Sequence, residues 1–367
     1  MSDQAREPKV LMKGNEAVAE AAIRAGCRTY FGYPITPQNE LAAYMSKRMP
    51  QPEINGVFVQ AESETGAINM VYGAAAAGAR VLTSSSSPGV ALKAEGISYL
   101  AAADLPSVII NIQRGGPGLG TIQPSQGDYF MSTKAPGHGD FKCLVYAPAT
   151  VQEMADMVGD AFEKADEYRM PALILSDGLL GQMMEPVSLP PIKDPADCPQ
   201  HEWATTGTKG KREPQEINSL RLYPEQLEAT NNERYAMYDR IKAKEQQAEM
   251  YRTDDADIVV VAYGASARTA KSAVDLARDA GVKAGLIRPL LVWPFPDDSL
   301  ESAIASGVKG FLSVEMSMGQ MVEDVRLAVN GRLPVEMFNR TGGLVPEPKA
   351  IAAKIEEMYK QTAEGGK

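Results

Sequence analysis

Two rhythms of hydrophobic residues alternate along the chain. Short apolar or β-branched runs at 29–33, 56–60, 80–85, 105–113, 143–148 and 171–177 read as strands. Between them, apolar residues recur at helical spacing over 14–26, 39–48, 61–79, 88–103 and 150–168. Gly26 stands at a C-cap position and Pro88 in a first helical turn. The run LPSVIINIQ (105–113) is apolar on both faces, as a strand buried in a parallel sheet must be. Strands and helices in this order predict a doubly wound parallel sheet. A second series follows the same plan, with strands at 255–264, 282–287, 310–316 and 334–338 and helices at 267–281, 298–307 and about 319–330. The fold class is therefore α/β, with two doubly wound parallel-sheet domains. The residues before 14 read as a polar tail. Residues 186–254 break the rhythm, with a Pro-rich extended stretch and then a charged amphipathic helix at 231–252 that has no neighbouring strand. That segment reads as a linker lying across the surface or onto a partner subunit.

The first strand runs into YFGYPITP (30–37), where Gly32 ends the apolar run and Pro34 and Pro37 bracket Ile35-Thr36. Proline fixes φ and removes an amide donor, so neither strand nor helix continues through this turn. In open α/β sheets ligands bind beyond the carboxyl ends of strands. A rigid connection with no ligand explains the same residues equally well.

Other chemistry-bearing residues fall at neighbouring strand ends. Glu64 begins a helix of otherwise small and apolar residues, where the helix dipole favours a carboxylate. N-terminal capping explains an acid there as well, and Ser63 or Glu62 could serve. Arg114 closes the strand 105–113 and opens the loop GGPGLG (115–120). Its planar fork suits an anionic ligand, or it is a surface residue on a flexible loop. The glycines form neither a Walker A nor a dinucleotide fingerprint, which leaves phosphate cradle or mobile lid. The run Thr83-Ser84-Ser85-Ser86-Ser87 reads as polar wall lining, because no histidine stands where it could activate a serine. His138 reads as structural or as a subunit contact.

Composition narrows the partners. The 367 residues suffice for two domains of roughly 100–200 residues each. A net charge of −10 argues against nucleic acid as the main partner. The three cysteines, Cys27, Cys143 and Cys198, lack the spacing of a disulfide framework, a zinc site or an iron–sulfur cluster. Any electron carriers must then lie on another chain. No long apolar run and no signal-peptide layout occurs, so a cytoplasmic protein without a membrane partner is expected.

Longer motifs add a resemblance. GYPITP (32–37), SETGA (63–67), the strand end Gln113-Arg114 and the two-unit layout resemble the α-type subunit of the 2-oxoacid:ferredoxin oxidoreductases, which are thiamine diphosphate enzymes. RGGPGLGTIQPSQGDYF, LSDGLLGQMMEPV, RPLLVWPFP, VEMSMGQMVEDVRLAVNG and NRTGGLVPEP are similar to the branched-chain (2-oxoisovalerate) branch. The resemblance implies a pyrimidine-binding domain at 8–185, an extended linker with a charged helix at 186–254 and a transketolase-C-terminal-like domain at 255–355. It implies that Glu64 bonds the pyrimidine N1′, that Tyr33, Pro34 and Ile35 pack on the ring, and that Thr36 and Arg114 hold the substrate carboxylate.

The diphosphate–metal motif of that superfamily, GDG followed by Asn-Asn, is lacking. Only SDG at 176–178 and a distant Asn231-Asn232 occur. The resemblance then implies a β-type subunit that brings the diphosphate, Mg²⁺ and an iron–sulfur cluster. It further implies γ- and δ-type subunits with 4Fe-4S clusters, in a dimer of heteromers. The implied reaction converts a 2-oxoacid, coenzyme A and oxidised ferredoxin to acyl-CoA, carbon dioxide and reduced ferredoxin. No second basic residue accompanies Arg114, which favours an apolar 2-oxoacid. Use of 2-oxoglutarate or an aryl 2-oxoacid, a purely structural subunit and a stand-alone nucleotide-binding enzyme are the competing readings.

Overall fold

The computed structural model describes residues 6–364. The strands are β1 (Val10–Lys13), β2 (Thr29–Gly32), β3 (Val57–Gln60), β4 (Val81–Ser85), β5 (Ser107–Gln113), β6 (Leu144–Tyr146), β7 (Pro171–Asp177), β8 (Met184–Val187), β9 (Ala248–Tyr251), β10 (Ile258–Val261), β11 (Ala284–Pro289), β12 (Leu291–Trp293), β13 (Gly310–Glu315) and β14 (Val335–Asn339). The helices are α1 (Gly14–Arg24), α2 (Asn39–Arg48), α3 (Glu64–Ala76), α4 (Ser87–Ala102), α5 (Tyr129–Thr133), α6 (Val151–Tyr168), α7 (Gly178–Gln182), α8 (Pro224–Glu245), α9 (Gly264–Asp279), α10 (Asp297–Ala305), α11 (Met321–Val329) and α12 (Pro348–Glu364).

Two sheets carry the fold. The first has seven strands in the order β12-β6-β7-β5-β4-β2-β3, parallel throughout except for β12. All residues of β4, β5 and β7 are buried, as helices on both faces of a parallel sheet require. The second has five strands in the order β14-β13-β10-β11-β9, parallel except for β9. Its apolar face is sealed by α9 and α12, where Ala270, Ala273 and Val274 cluster with Ile351, Ile355 and Met358. The predicted α/β class with two parallel-sheet domains is what the chain adopts.

Four local expectations change. The polar tail before residue 14 contains β1, which pairs antiparallel with β8 in the stretch read as irregular. The charged helix starts at Pro224 and ends at Glu245, not at 231–252, with Pro224 at the first helical position. It lies on its own chain: Arg234, Tyr238, Ile241 and Glu245 share one buried face, Arg234 meets Asp104, and Glu245 meets Lys164 and Tyr168. The end of the 186–254 segment is not linker, because β9 forms an edge of the second sheet. The strand β12, from the second sequence unit, instead closes the edge of the first sheet against β6.

The first sheet thus takes an edge strand from the second unit and the second sheet takes one from the linker segment, and Gln126 ties the two together. Its amide donates to the Tyr263 carbonyl at 2.8 Å and accepts from the Ser266 hydroxyl at 2.7 Å and the Met316 amide at 2.9 Å. That fixes the glycine-rich loop, on which Gln126 sits, against the second domain.

Candidate functional site

The turn after β2 is held from behind. Gln38 donates to the Tyr33 carbonyl at 3.3 Å and accepts from the Ser84 hydroxyl at 2.6 Å, while Asn15 donates to the Pro37 carbonyl at 2.8 Å. The Thr36–Pro37 peptide is cis. Pro34 is exposed, and Tyr33, Ile35 and Thr36 are half-buried, so the turn keeps a free outer face. The Thr36 hydroxyl accepts from Asn39 at 3.0 Å.

Glu64 occupies the first position of α3 and is 6% exposed. The cap itself is Ser63, whose hydroxyl accepts from the Gly66 amide at 3.0 Å. Capping is therefore done by the neighbour. The Glu64 carboxylate takes part in no hydrogen bond or ion pair among the described residues. Space for it comes from α4, because a Cβ at Gly89 would stand 2.5 Å from Glu64 Oε1 and collide with the Ser85 hydroxyl.

Arg114 is also largely buried. One terminal nitrogen donates to the Thr36 carbonyl at 2.9 Å and the other to the Leu119 carbonyl at 3.3 Å. Its Nε has no partner, and no carboxylate neutralises the guanidinium among the described residues. The main chain of Arg114 is fixed by Ser87, whose hydroxyl accepts its amide at 3.0 Å and bonds Asp128 at 2.5 Å. Asn111 donates to the same Asp128 oxygen at 2.9 Å. Burial pushes the Asp128 carboxyl up, against the pull of those two donors.

The serine run lines this end of the sheet, with Thr83 to Ser86 wholly buried. Ser84 links the Tyr30 phenol to Gln38, whereas the Ser85 and Ser86 hydroxyls have no partner. The turn, Arg114, the serines and Glu64 therefore gather on one side of the first sheet, at the carboxyl ends of β2, β4 and β5, with Arg114 bonded to the Thr36 carbonyl and Glu64 and Ser85 sharing the space at Gly89. The glycine-rich loop folds back on itself through Gly115–Gln123 and Thr121–Gly115 backbone bonds, with Leu119 exposed at its tip. His138 lies elsewhere, its carbonyl accepting from Ser98 and its ring edge-on to Tyr99. A separate cleft of about 580 Å³ opens at the amino end of the first sheet between Arg28, Asn55 and Lys193, away from these residues.

Sequence reasoning missed Gly89, Asn111, Asp128 and Lys93. The spacing of Gly89 and Lys93, four apart on one helix face, was the available signal. Asp177 of the SDG and Asn231 of the Asn-Asn pair have partners within the chain. Asp177 caps α7 through the Leu179 and Leu180 amides, and burial holds its carboxyl up at about 6. Asn231 bonds Arg234 on α8. No group of three or more metal-ligating side chains occurs among the described residues.

Comparison with known proteins decides the family. Residues 20–254 match the model described as pyruvate flavodoxin/ferredoxin oxidoreductase, thiamine diphosphate-binding, and residues 256–351 match pyruvate:ferredoxin oxidoreductase core domain II. The chain belongs to the 2-oxoacid:ferredoxin oxidoreductase family. It is 48% identical to the ketoisovalerate oxidoreductase subunit VorB of Methanothermobacter thermautotrophicus, over 95% of this chain and 97% of that one. It is 36% identical to the 2-oxoglutarate synthase subunit KorA of Methanothermobacter marburgensis, over 95% and 98% of the two chains. A solved 2-oxoglutarate:ferredoxin oxidoreductase from Magnetococcus marinus, with 2-oxoglutarate, coenzyme A and succinyl-CoA bound, superposes with a TM-score of 0.82 at 25% identity. That match covers 96% of this chain, which spans 65% of the solved one. A split-gene transketolase shares the fold at a TM-score of 0.58 and 12% identity. No helix among the described residues is long and apolar enough to cross a membrane.

For this oxidoreductase subunit, Gly89→Ala makes a sharp test of the cleft. The added methyl must displace both Glu64 and Ser85. Overpacking of this kind costs roughly 1–3 kcal/mol. The expected result is a lower thermal midpoint together with reduced turnover of the assembled enzyme, and wild-type turnover would count against the crowding described.

Proposed function

We propose that the cleft holds the pyrimidine of thiamine diphosphate and the carboxylate of a branched-chain 2-oxoacid such as 2-oxoisovalerate. The observation that carries this reading is the free Glu64 carboxylate, set in a space that only glycine at position 89 leaves open. The donor set fits the group: one acid for a ring nitrogen, a wall of half-buried Tyr33 and Ile35 with the exposed Pro34 between them, and an uncompensated guanidinium close by. Bound thiamine diphosphate supplies the chemistry that releases carbon dioxide from a 2-oxoacid and retains the electron pair left behind. This chain's own residues do the rest. Glu64 holds a proton against the pyrimidine N1′, Thr36 and Arg114 orient the substrate carboxylate, and the buried serine wall limits water.

The diphosphate and Mg²⁺ belong to a β-type partner, a reading supported by the commitment of Asp177 to capping and by the lack of a metal-ligating cluster among the described residues. Iron–sulfur clusters on β-, γ- and δ-type subunits carry the electrons to ferredoxin, and coenzyme A takes the acyl group. The assembly is a dimer of heteromers. Residues 8–185 form the pyrimidine domain and 255–355 the transketolase-C-terminal-like domain, with β9 belonging structurally to the latter.

Substrate preference follows from charge. Arg114 is largely buried but retains some exposed surface, and the neighbouring Lys93 is sealed from solvent. A distal carboxylate would have no partner. In the co-expressed complex, kcat/KM for 2-oxoisovalerate should exceed that for 2-oxoglutarate by roughly tenfold or more, the worth of one charge-assisted bond at about 1.5–3 kcal/mol. A preference for 2-oxoglutarate across a substrate panel would overturn the assignment.

A further inference from the structure

Gln38 stands at the N-cap of α2, where a side chain ordinarily bonds the first amides of its helix. This one caps nothing. It is wholly buried and turned away from the helix it opens. Its amide oxygen accepts from the Ser84 hydroxyl at 2.6 Å, and its amide nitrogen donates to the Tyr33 carbonyl at 3.3 Å. Its main-chain amide donates to the Ile35 carbonyl at 3.1 Å. One residue thus holds both carbonyls that flank Pro34.

The protons behind Gln38 run in one direction. Ser84 has a single hydroxyl hydrogen, which goes to Gln38, so the Tyr30 phenol is the donor in its 2.8 Å contact with Ser84. Burial pushes that phenol up to about 12, and it keeps its proton. With its oxygen taken by Ser84, the Gln38 side chain has only N–H to offer the turn. Tyr30, Ser84 and Gln38 are all wholly buried, so water cannot replace a lost partner. The start of the line requires a glycine, because a Cβ at Gly32 would stand 2.3 Å from the Tyr30 hydroxyl. The Tyr30 ring is fixed separately, stacked on Phe58 with centroids 5.4 Å apart.

The supports of the turn are divided along its length. Arg114 holds the Thr36 carbonyl, and Asn15 and Gln182 hold that of Pro37. Gln38 holds the end that carries Tyr33 to Ile35.

We propose that Gln38 is a positioning residue for thiamine diphosphate: the line Tyr30–Ser84–Gln38 sets how far the wall of Tyr33, Pro34 and Ile35 stands toward the pyrimidine. The inference rests on the assignment of that wall to the ring.

Calorimetric titration of thiamine diphosphate with Mg²⁺ into the assembled enzyme, first freed of its cofactor, reads this directly. Gln38→Met keeps the length and the main-chain amide and removes both side-chain bonds. It should raise the dissociation constant by about three- to tenfold, the worth of a neutral hydrogen bond. At saturating cofactor the KM for the 2-oxoacid should stay at its wild-type value, since Arg114 is untouched. Tyr30→Phe keeps the stacked ring and loses only the first donor. It should shift the affinity the same way by a smaller factor, and it serves where the methionine variant does not assemble. A glutamine that only stabilised the fold would lower the thermal midpoint and leave the affinity of the assembled enzyme in place. Ile35→Ala cuts into the wall itself and should weaken cofactor binding as well. Wild-type affinity in the assembled Gln38→Met or Tyr30→Phe enzyme, with Ile35→Ala weakened, overturns the role of Gln38 alone. Wild-type affinity in Ile35→Ala overturns the assignment of the wall beneath it.

Discussion

Glu64→Gln is expected to lower turnover of the assembled enzyme by roughly 10²–10⁴-fold, the usual contribution of a positioned proton-transfer group. The fold and the assembly should survive. Glutamine has the same shape, and no hydrogen bond among the described residues is lost, since Ser63 does the capping and the carboxylate has no partner among them. What the folded chain forfeits is a negative charge at a helix N-terminus, worth about 0.3–1 kcal/mol, and the field it exerts on Lys93. A large kinetic loss with a small change in thermal midpoint separates this role from a structural one. Steady-state rates and melting curves of the co-expressed complex check both halves. Turnover equal to wild type would sink the assignment, whatever the stability.

The reasons this site was partly legible are local. YFGYPITP announces itself through two prolines, because their constraint acts within a few residues whatever the surroundings. Arg114 stands at the end of a strand whose core, Val108–Ile110 with Ile112, is apolar and buried, so its place at the strand's end follows from the pattern. The choice between capping and chemistry at Glu64 was not decidable from the sequence. Ser63, Glu62 and Glu64 are all competent caps, and only the Ser63–Gly66 bond shows which one is used. Lys93 was hidden more deeply. In VALKAEG a lysine beside a glutamate reads as a solvated face, yet Lys93 is fully buried and Glu95 points elsewhere, to Tyr99. Its environment is set by how closely α3 and α4 approach, and Gly89 and Gly96 set that distance from positions that look like ordinary small residues.

The same distinction explains the fold. Each βα repeat carries its own periodicity, so the two parallel sheets could be read from the chain. Membership of the edge strands could not. The short run Leu291–Trp293 has nothing in its side chains to say that it leaves the second sheet and pairs with β6 of the first. Likewise β9 sits directly after a charged helix, and its partner β11 lies more than a helix away in sequence. Long-range pairing of this kind depends on the assembled core.

Arg114→Met should lower kcat/KM by about 10–150-fold, through KM more than kcat, as expected when a charged hydrogen bond of about 1.5–3 kcal/mol to a substrate carboxylate is removed. The guanidinium also spans two carbonyls, those of Thr36 and Leu119, and so links the proline turn to the glycine-rich loop. Losing those charge-assisted bonds costs about 1.5–3 kcal/mol each in stability, which a melting curve registers separately. Lysine at this position should recover only part of the loss. A point charge can meet the carboxylate, but it cannot hold the two carbonyls and present the remaining edge of a planar fork at once. Added guanidinium ion should restore part of the activity of the methionine variant and none of that of Glu64→Gln. A KM left unchanged in Arg114→Met would remove Arg114 from the substrate and leave it as a strut between turn and loop. Rescue would place the missing cation in the cleft itself, where the unpartnered Nε already marks a guanidinium whose own chain does not fully satisfy it.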